Sequence, residues 1–369
     1  QGRSIAAELA DIGAPITVDD LRAQHALLQQ PLETRVNGIT AREAQRLREI
    51  ASASGKACGS EYFQGLPIIS GGESRIGGAR IFNCPPPSQG ISSLLILGIY
   101  DALANGKPVK DEFELVHRIA ECTKLAFKLR DSHLADPAHM RESVQAWLES
   151  GFMSQLAGKI DPQRAMPWGT PEASGDTVWF GVIDQAGRTV SCIQSIYFEF
   201  GTGVVLPDSG ITWHNRGLGF SLDRAHPNRL GPRKRPFHTL NPALALFDDG
   251  RVMPYGTMGG EGQPQTQAAV FSRYAWQGLS LAEAISAPRW LLGRSWGEAS
   301  ASLKLEADFG SALIEALRQA GHMVEEVPAQ NSLMGHAGAL VLHNGHEDPR
   351  RGQIQGAADP RSDGLAACW

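Results

Sequence analysis

The sequence of 369 residues predicts an α+β fold built from stacked layers of sheet and helix. Three observations carry that prediction. The composition is globular, 42% hydrophobic and 20% charged, with ample length for a sizeable core. Up to residue 158 the apolar positions recur mainly at helical spacing. After Asp176 the period drops to two, and turn residues punctuate short apolar runs. Helices first, then strands mixed with helices, favour stacked layers over the regular strand–helix alternation of a dinucleotide fold. By size alone the chain makes one large domain or two.

Taken in order, Thr17 or Asp19 caps a helix running to about Leu28, and Thr40 precedes AREAQRLREIAS, apolar at helical spacing. Residues 90–105 and 112–131 read as long helices and 143–158 as a shorter pair. PPPSQG (85–90) is a rigid turn into the helix at 90. GDTVWFGVID (175–184) reads as a strand with Val178, Phe180 and Val182 on one face and Trp179, Gly181 and Ile183 on the other. A run apolar on both faces predicts a strand buried between layers. TVSCIQSIYF pairs with it through a turn around Gln185–Gly187, and ALALFDDGRVMPYG (243–256) is a second hairpin turning at Asp249-Gly250. Helices follow at 264–277, 280–287 and 308–320, with short strands at 302–306, 323–327 and 338–343.

Several function classes drop out. The net charge is −5 and no basic block marks a nucleic-acid surface. The longest apolar run, ISSLLILGIY (91–100), is too short to span a bilayer and reads as a core helix. Cys58, Cys84, Cys122, Cys192 and Cys368 are scattered, with no CxxC and no metal-ligand spacing, so isolated thiols are favoured over a disulfide framework. The glycine runs do not follow the dinucleotide pattern. The chain starts abruptly at QGRSIAAELA without a signal peptide, which leaves room for an upstream portion. The expected compartment is the cytoplasm, with the periplasm as the alternative.

Two features point to chemistry. Thr177 opens the 177–184 strand straight after the Pro/Gly/Ser-rich stretch PWGTPEASGD (167–176). A hydroxyl is a weak nucleophile until a base sits beside it. A threonine at a new chain terminus carries its own base, an α-amino group with a reference pKa of about 7.7–8.0. That chemistry needs the Asp176–Thr177 bond cut, by attack of the hydroxyl on the carbonyl before it. Threonine also opens strands for β-propensity alone. The second feature is GTMGGEGQPQTQ (256–267), whose glycines let backbone N–H groups approach a reacting carbonyl where a helix starts. Removing one such oxyanion donor costs roughly 2.7–4 kcal/mol. A tight turn at positive φ accounts for an isolated Gly-Gly equally well.

TVWFGVIDQAGRTVSCIQSIYFEFGTGVVLPDSGI, GPRKRPFHTLNPALAL, GTMGGEGQPQTQ and GAADPRSDG (356–364) occur in one order. Together they resemble the small subunit of the gamma-glutamyltransferase family, N-terminal nucleophile hydrolases made as self-cleaving precursors. PPPSQG and the helices after it resemble the end of that family's large subunit. The resemblance implies an αββα sandwich of two mainly antiparallel sheets between helical layers. It divides the chain into 1–176, a mostly helical C-terminal portion of the large subunit, and 177–369, the sheet-rich small subunit. Thr177 falls on the nucleophile, with cleavage between Asp176 and Thr177. Ser195 falls on the supporting hydroxyl, and Gly259 and Gly260 on the paired oxyanion glycines. ITAREAQRLREIASASGKACGSEYFQG (39–65) resembles a segment that in the family precedes a stretch like RSIAAELADIGAPITVDDL (3–21); here the order is reversed.

The departures from the family pattern bear on substrate. The transferases hold the α-carboxylate and α-ammonium of a gamma-glutamyl donor with an asparagine where this chain has Tyr197, a serine pair where it has Phe237-His238-Thr239, and an acidic pair where it has Leu218-Gly219-Phe220. Without an acid at Gly219 the ammonium loses its counter-charge. RPFHTLNP, PPPSQG and GTMGGEGQPQTQ together look most like the oxamate amidohydrolase branch of the same family. Arg216 lies three residues before Gly219, where the transferases carry a neutral amide that faces the donor, so the resemblance implies that it grips a small carboxylate, with Tyr197, His238 and Thr239 as further substrate contacts. The implied function is a self-cleaving N-terminal threonine amidohydrolase on a small carboxylated amide, oxamate-like, working through an acyl-enzyme. No metal or organic cofactor is required. The implied partners are the substrate and the two fragments of one precursor, with a homo-oligomer of that heterodimer as one assembly. A gamma-glutamyl hydrolase or transferase is the alternative, and a non-catalytic ligand-binding relative the alternative of another class.

Overall fold

The computed structural model describes residues 2–11, 13–14, 16–23, 29–40, 75–169, 176–293, 300–343 and 352–368. Its strands, in chain order, are β1 (Leu32–Val36), β2 (Ile39–Thr40), β3 (Arg75–Ile76), β4 (Ala79–Asn83), β5 (Asp176–Ile183), β6 (Thr189–Tyr197), β7 (Ala243–Phe247), β8 (Val252–Thr257), β9 (Trp290–Leu292), β10 (Leu303–Glu306), β11 (Val324–Val327), β12 (Ala337–Leu342) and β13 (Ile354–Ala358). The helices are α1 (Gly2–Asp11), α2 (Val18–Ala23), α3 (Gly90–Ala104), α4 (Glu112–His133), α5 (Ser150–Ala157), α6 (Gln263–Ala275), α7 (Leu281–Ser286) and α8 (Ser311–Gln319).

The centre is a six-stranded sheet in the order β1–β4–β7–β8–β12–β13, antiparallel throughout. The β5–β6 ribbon, also antiparallel, stacks across it. The contact is made by Trp179, whose ring lies on Gly256 of β8 and Gly338 of β12. A side chain at either glycine would push the ribbon off, because a Cβ on Gly338 would sit 2.5 Å from the indole. Helices α3 to α6 pack with the central sheet into one buried core. Two antiparallel layers with helices against the larger one make the α+β layered fold that the sequence predicts.

Two expectations need correcting. The strand from residue 177 is not buried on both faces. Trp179, Gly181 and Ile183 face the central sheet, while Val178, Phe180 and Val182, with Val190 of β6, are exposed. The described residues place no layer over that outer face. The first half is also not only helical. LETRV and ARIFN alternate buried and less buried residues and form β1 and β4 of the central sheet. A five-residue strand flanked by helical patterns carries too few periods to stand out. Of the N-terminal helices, α2 covers Val18–Ala23, with Thr17 and Asp20 bonded to each other at its start; the rest of its expected length, to Leu28, and the Thr40-led stretch lie outside the described residues, apart from Thr40 itself in β2.

Helix α3 explains ISSLLILGIY. It is apolar all round because every residue from Gly90 to Asp101 is buried, and burying a Leu or Ile stabilises by roughly 1.5–3 kcal/mol each. Asp111 caps α4 by accepting from the Glu114 N–H at 2.9 Å, and Ser280 forms a capping box with Glu283 on α7. GAADPRSDG finds its use in a buried charge network. Asp359 takes the guanidinium groups of Arg289 and Arg361 and the Ala337 N–H at 2.7 Å, and Glu306 takes Arg361 and the Arg289 N–H at 2.8 Å. That network ties the end of β13 to β10 and β12.

Candidate active site

Thr177 is the second residue of β5, and a bulge aims it. Asp176 pairs with Tyr197 and Val178 with Gln194, so Ser195 and Ile196 together face the single residue Thr177. The half-buried Thr177 thus sits opposite Ser195, with its hydroxyl oxygen shielded from solvent. Ser195 Oγ accepts the Tyr197 N–H at 2.9 Å. Tyr197 has φ of +85°, a conformation non-glycine residues rarely adopt.

The Gly-Gly turn follows β8 directly. Gly259 has φ of 113° and Gly260 of 50°, both in the region where glycine alone is at ease. Their carbonyls are engaged: Gly259 O accepts from Gly262 N at 2.7 Å, and Gly260 O from Gln263 N and from Gln89 Nε2, the latter at 2.7 Å. Among the described residues neither glycine's N–H has an acceptor, which is the disposition an oxyanion hole needs. Trp179, two residues beyond Thr177, covers Gly256, three residues before Gly259. The strand that carries Thr177 is thereby fixed to β8, the strand that leads into the glycine turn.

Arg216 opens a short 3₁₀ turn, Arg216–Gly219. Its guanidinium lies 4.0 Å from the centre of the Tyr197 ring. Among the described residues neither Nη1 nor Nη2, both buried, meets a hydrogen-bond acceptor. Burial pulls its pKa to about 10, with Tyr197 acting the other way, so it remains a cation at neutral pH. Asn215 holds this turn to β6 by donating to Ile196 O at 3.2 Å and accepting from Phe198 N at 3.0 Å. His238 is nearby. Burial, then Arg216, then Arg235 push its pKa down to about 3, which keeps the imidazole neutral. Its Nδ1 and the Thr239 hydroxyl are likewise buried without a partner among the described residues.

Of the residues singled out in the sequence, Thr177 thus lies opposite Ser195 on the β5–β6 ribbon, Gly259 and Gly260 form the turn after β8, and Arg216 lies against Tyr197 with His238 within reach of its charge. Sequence reading missed the residues that hold them. Gln89, fully buried, donates to Thr239 O at 3.2 Å as well as to Gly260 O, and accepts from Arg130 at 3.1 Å. Arg130 goes on to Glu261 at 2.8 Å. The signal was present in PPPSQG, where a polar carboxamide precedes an apolar helix; it does not cap that helix but crosses to the glycine turn.

His117, Glu121 and His322 offer ligand atoms within 4.8 Å of one another. Their bonds are already assigned. His117 Nε2 donates to Asp161 O at 2.8 Å, so its Nδ1 accepts from His322 Nε2 at 2.8 Å. Lys124 Nζ lies 2.6 Å from Glu121 and supplies the cation, also donating to Met166 O at 2.7 Å. This cluster anchors residues 161–166 ahead of Asp176.

The model of a family described as gamma-glutamyltranspeptidase matches residues 71–369. This chain belongs to the gamma-glutamyltranspeptidase family. It is 55% identical over 287 residues to the oxamate amidohydrolase proenzyme of Klebsiella pneumoniae subsp. pneumoniae, covering 78% of this chain and 53% of that one. It is 42% identical over 289 residues to the glutathione hydrolase-like YwrD proenzyme of Bacillus subtilis, covering 78% and 54%. The chain therefore spans about half the length of the curated relatives it matches. Among solved structures, the cephalosporin acylase from Bacillus halodurans superposes with a TM-score of 0.76 at 28% identity, over all of this chain and 58% of that one. The family membership agrees with the resemblance read from the motifs, and the acylase confirms the layered fold.

Proposed function

We propose that this chain is the nucleophile-bearing part of a self-cleaving precursor, an N-terminal threonine amidohydrolase for a small carboxylated amide such as oxamate. The observation that carries the reading is Arg216. A buried guanidinium with two unengaged nitrogens is costly unless an anion completes it, and its fork suits a carboxylate bidentately. Neutral His238 adds no second charge, and Gly219 offers no acid to an ammonium group. The 55% identity to a protein named for oxamate supports the same choice.

Cleavage comes first. Thr177 Oγ1 attacks the Asp176 carbonyl carbon, the peptide nitrogen leaves as the Thr177 amine, and water hydrolyses the resulting ester. This yields 1–176 and 177–369. In turnover the freed amine takes the Thr177 hydroxyl proton while Oγ1 attacks the substrate amide carbon, with Arg216 holding the carboxylate. Gly259 and Gly260 N–H groups receive the oxyanion. Ammonia leaves with the proton, and water, deprotonated by the same amine, releases the acid. The fragments stay together because β1 and β4 of the first share the central sheet with β7, β8, β12 and β13 of the second.

The test uses the full precursor. We expect two bands on a denaturing gel, ammonia from oxamate and no p-nitroaniline from a gamma-glutamyl anilide. Nitroaniline without ammonia marks a gamma-glutamyl hydrolase or transferase instead. A single uncut band with no turnover marks a ligand-binding relative.

A further inference from the structure

Asn228 joins the two segments that carry Arg216 and His238. It is 4% exposed, and its carboxamide is spent on backbone. Nδ2 donates to the Gly219 carbonyl, at the end of the Arg216 turn, while Oδ1 accepts the Phe237 N–H at 3.2 Å, one residue before His238. The Asn228 backbone is itself fixed, its N–H donating to His226 Nδ1 at 3.0 Å and its carbonyl accepting from Ser221 N at 2.9 Å. Gly219 makes the approach possible: a Cβ there would lie 2.6 Å from the Phe237 carbonyl oxygen, inside any tolerable contact and against backbone.

We propose that Asn228 and Gly219 form a positioning pair that sets the width of the acyl-group seat between Arg216 and His238. The pair keeps the guanidinium close to the imidazole, so the seat takes short acyl groups that bear a carboxylate and no amine. A side chain at 219, including an acid that could pair with an ammonium, drives the two segments apart and loosens the carboxylate grip. This rests on the reading of Arg216 as the carboxylate ligand.

Two measurements separate the clamp from that reading. The first follows modification of Arg216 by phenylglyoxal, by mass spectrometry, in the full precursor and in its Gly219→Ala and Asn228→Ala variants. The clamp predicts modification several-fold faster in both variants, with Arg251, remote from the clamp, unchanged. Equal Arg216 rates in all three proteins overturn it, whatever the substrate. The second is steady-state kinetics with oxamate. Arg216 holds a carboxylate that takes no part in the bond change, so its grip is the same in the ground and transition states; loosening it raises KM by about 10- to 100-fold while kcat and self-cleavage change little. Equal losses in kcat, cleavage and melting temperature, with KM unmoved, reduce the pair to a folding role and overturn the proposal. If the wild-type protein shields Arg216, the variants expose it, and none of them turns over oxamate, the clamp stands and the substrate reading falls.

Discussion

Tyr197 is held in a backbone conformation that costs a non-glycine residue roughly 1–3 kcal/mol, and its neighbours keep it there. Ser195 Oγ takes its N–H, Asn215 bonds the residues on either side, and its ring lies between Phe198 and Arg216. The strain puts the tyrosine ring under the guanidinium and links β6, which pairs with the Thr177 strand, to the cation. Ser195→Ala removes the acceptor at Tyr197, so kcat should fall by about tenfold, in line with one lost hydrogen bond of 1–1.5 kcal/mol; stopped assays of ammonia release check it. Thr177→Ala should leave an uncut precursor with no turnover. A cleaved and active Thr177→Ala protein would refute the nucleophile assignment. The pH profile discriminates between bases. Because the His238 pKa sits near 3, the imidazole stays neutral across the working range. The acid limb of kcat/KM should follow the Thr177 amine, near 7.7–8.0 in reference compounds, and should stay in place in His238→Asn.

At the scale of elements, the glycine turn and the charge network make separate demands. Gly259→Ala places a Cβ at φ of 113°, so the turn must rearrange and the donor pair is lost. Turnover should drop by about 10²–10³-fold with the far-UV dichroism unchanged. Asp359→Asn instead leaves Arg289 and Arg361 short of charge in a buried setting. Its cost should be about 3–5 kcal/mol by denaturant titration. Much of this architecture is legible in the sequence because the elements are long or bounded by strong punctuation: α3, α4, α6, the Asp249-Gly250 hairpin and the β5–β6 pair. The elements that escape are short. β1, β4, β9 and β13 contain five residues or fewer each, and tertiary pairing rather than local pattern makes them strands. The site reads similarly. Motifs single out Thr177, Ser195, Gly259, Gly260 and Arg216, whereas Gln89 bonds backbone atoms far away in sequence and Asn228 bonds backbone nine residues to either side within an irregular loop, which no local periodicity encodes.

For the whole molecule, buried carboxylates decide behaviour in acid. Burial alone would raise the Asp359 pKa, but Arg289, the Ala337 N–H and Arg361 together hold it below the ordinary carboxylate value. Asp136 is lowered too, its burial outweighed by Arg235 and the Ala138 N–H. A carboxyl with a lowered folded pKa contributes stability that is complete above its unfolded pKa, about 3.9 for Asp, and is lost as pH falls through the folded value. Melting temperature should hold steady above pH 5 and decline below about 4, and Asp359→Asn should flatten that decline.

Pairing between β4 and β7 has one further outcome if the backbone is severed at residue 176. A polymer whose partners are covalently joined finds its fold again by an internal search, at a rate indifferent to dilution. Severed, the same strands must meet by diffusion. Heated and cooled samples of the matured protein should recover less as they are made more dilute, whereas the Thr177→Ala form should recover equally at every dilution. Maturation would then be a one-way commitment: the event that creates the catalyst also removes its means of repair.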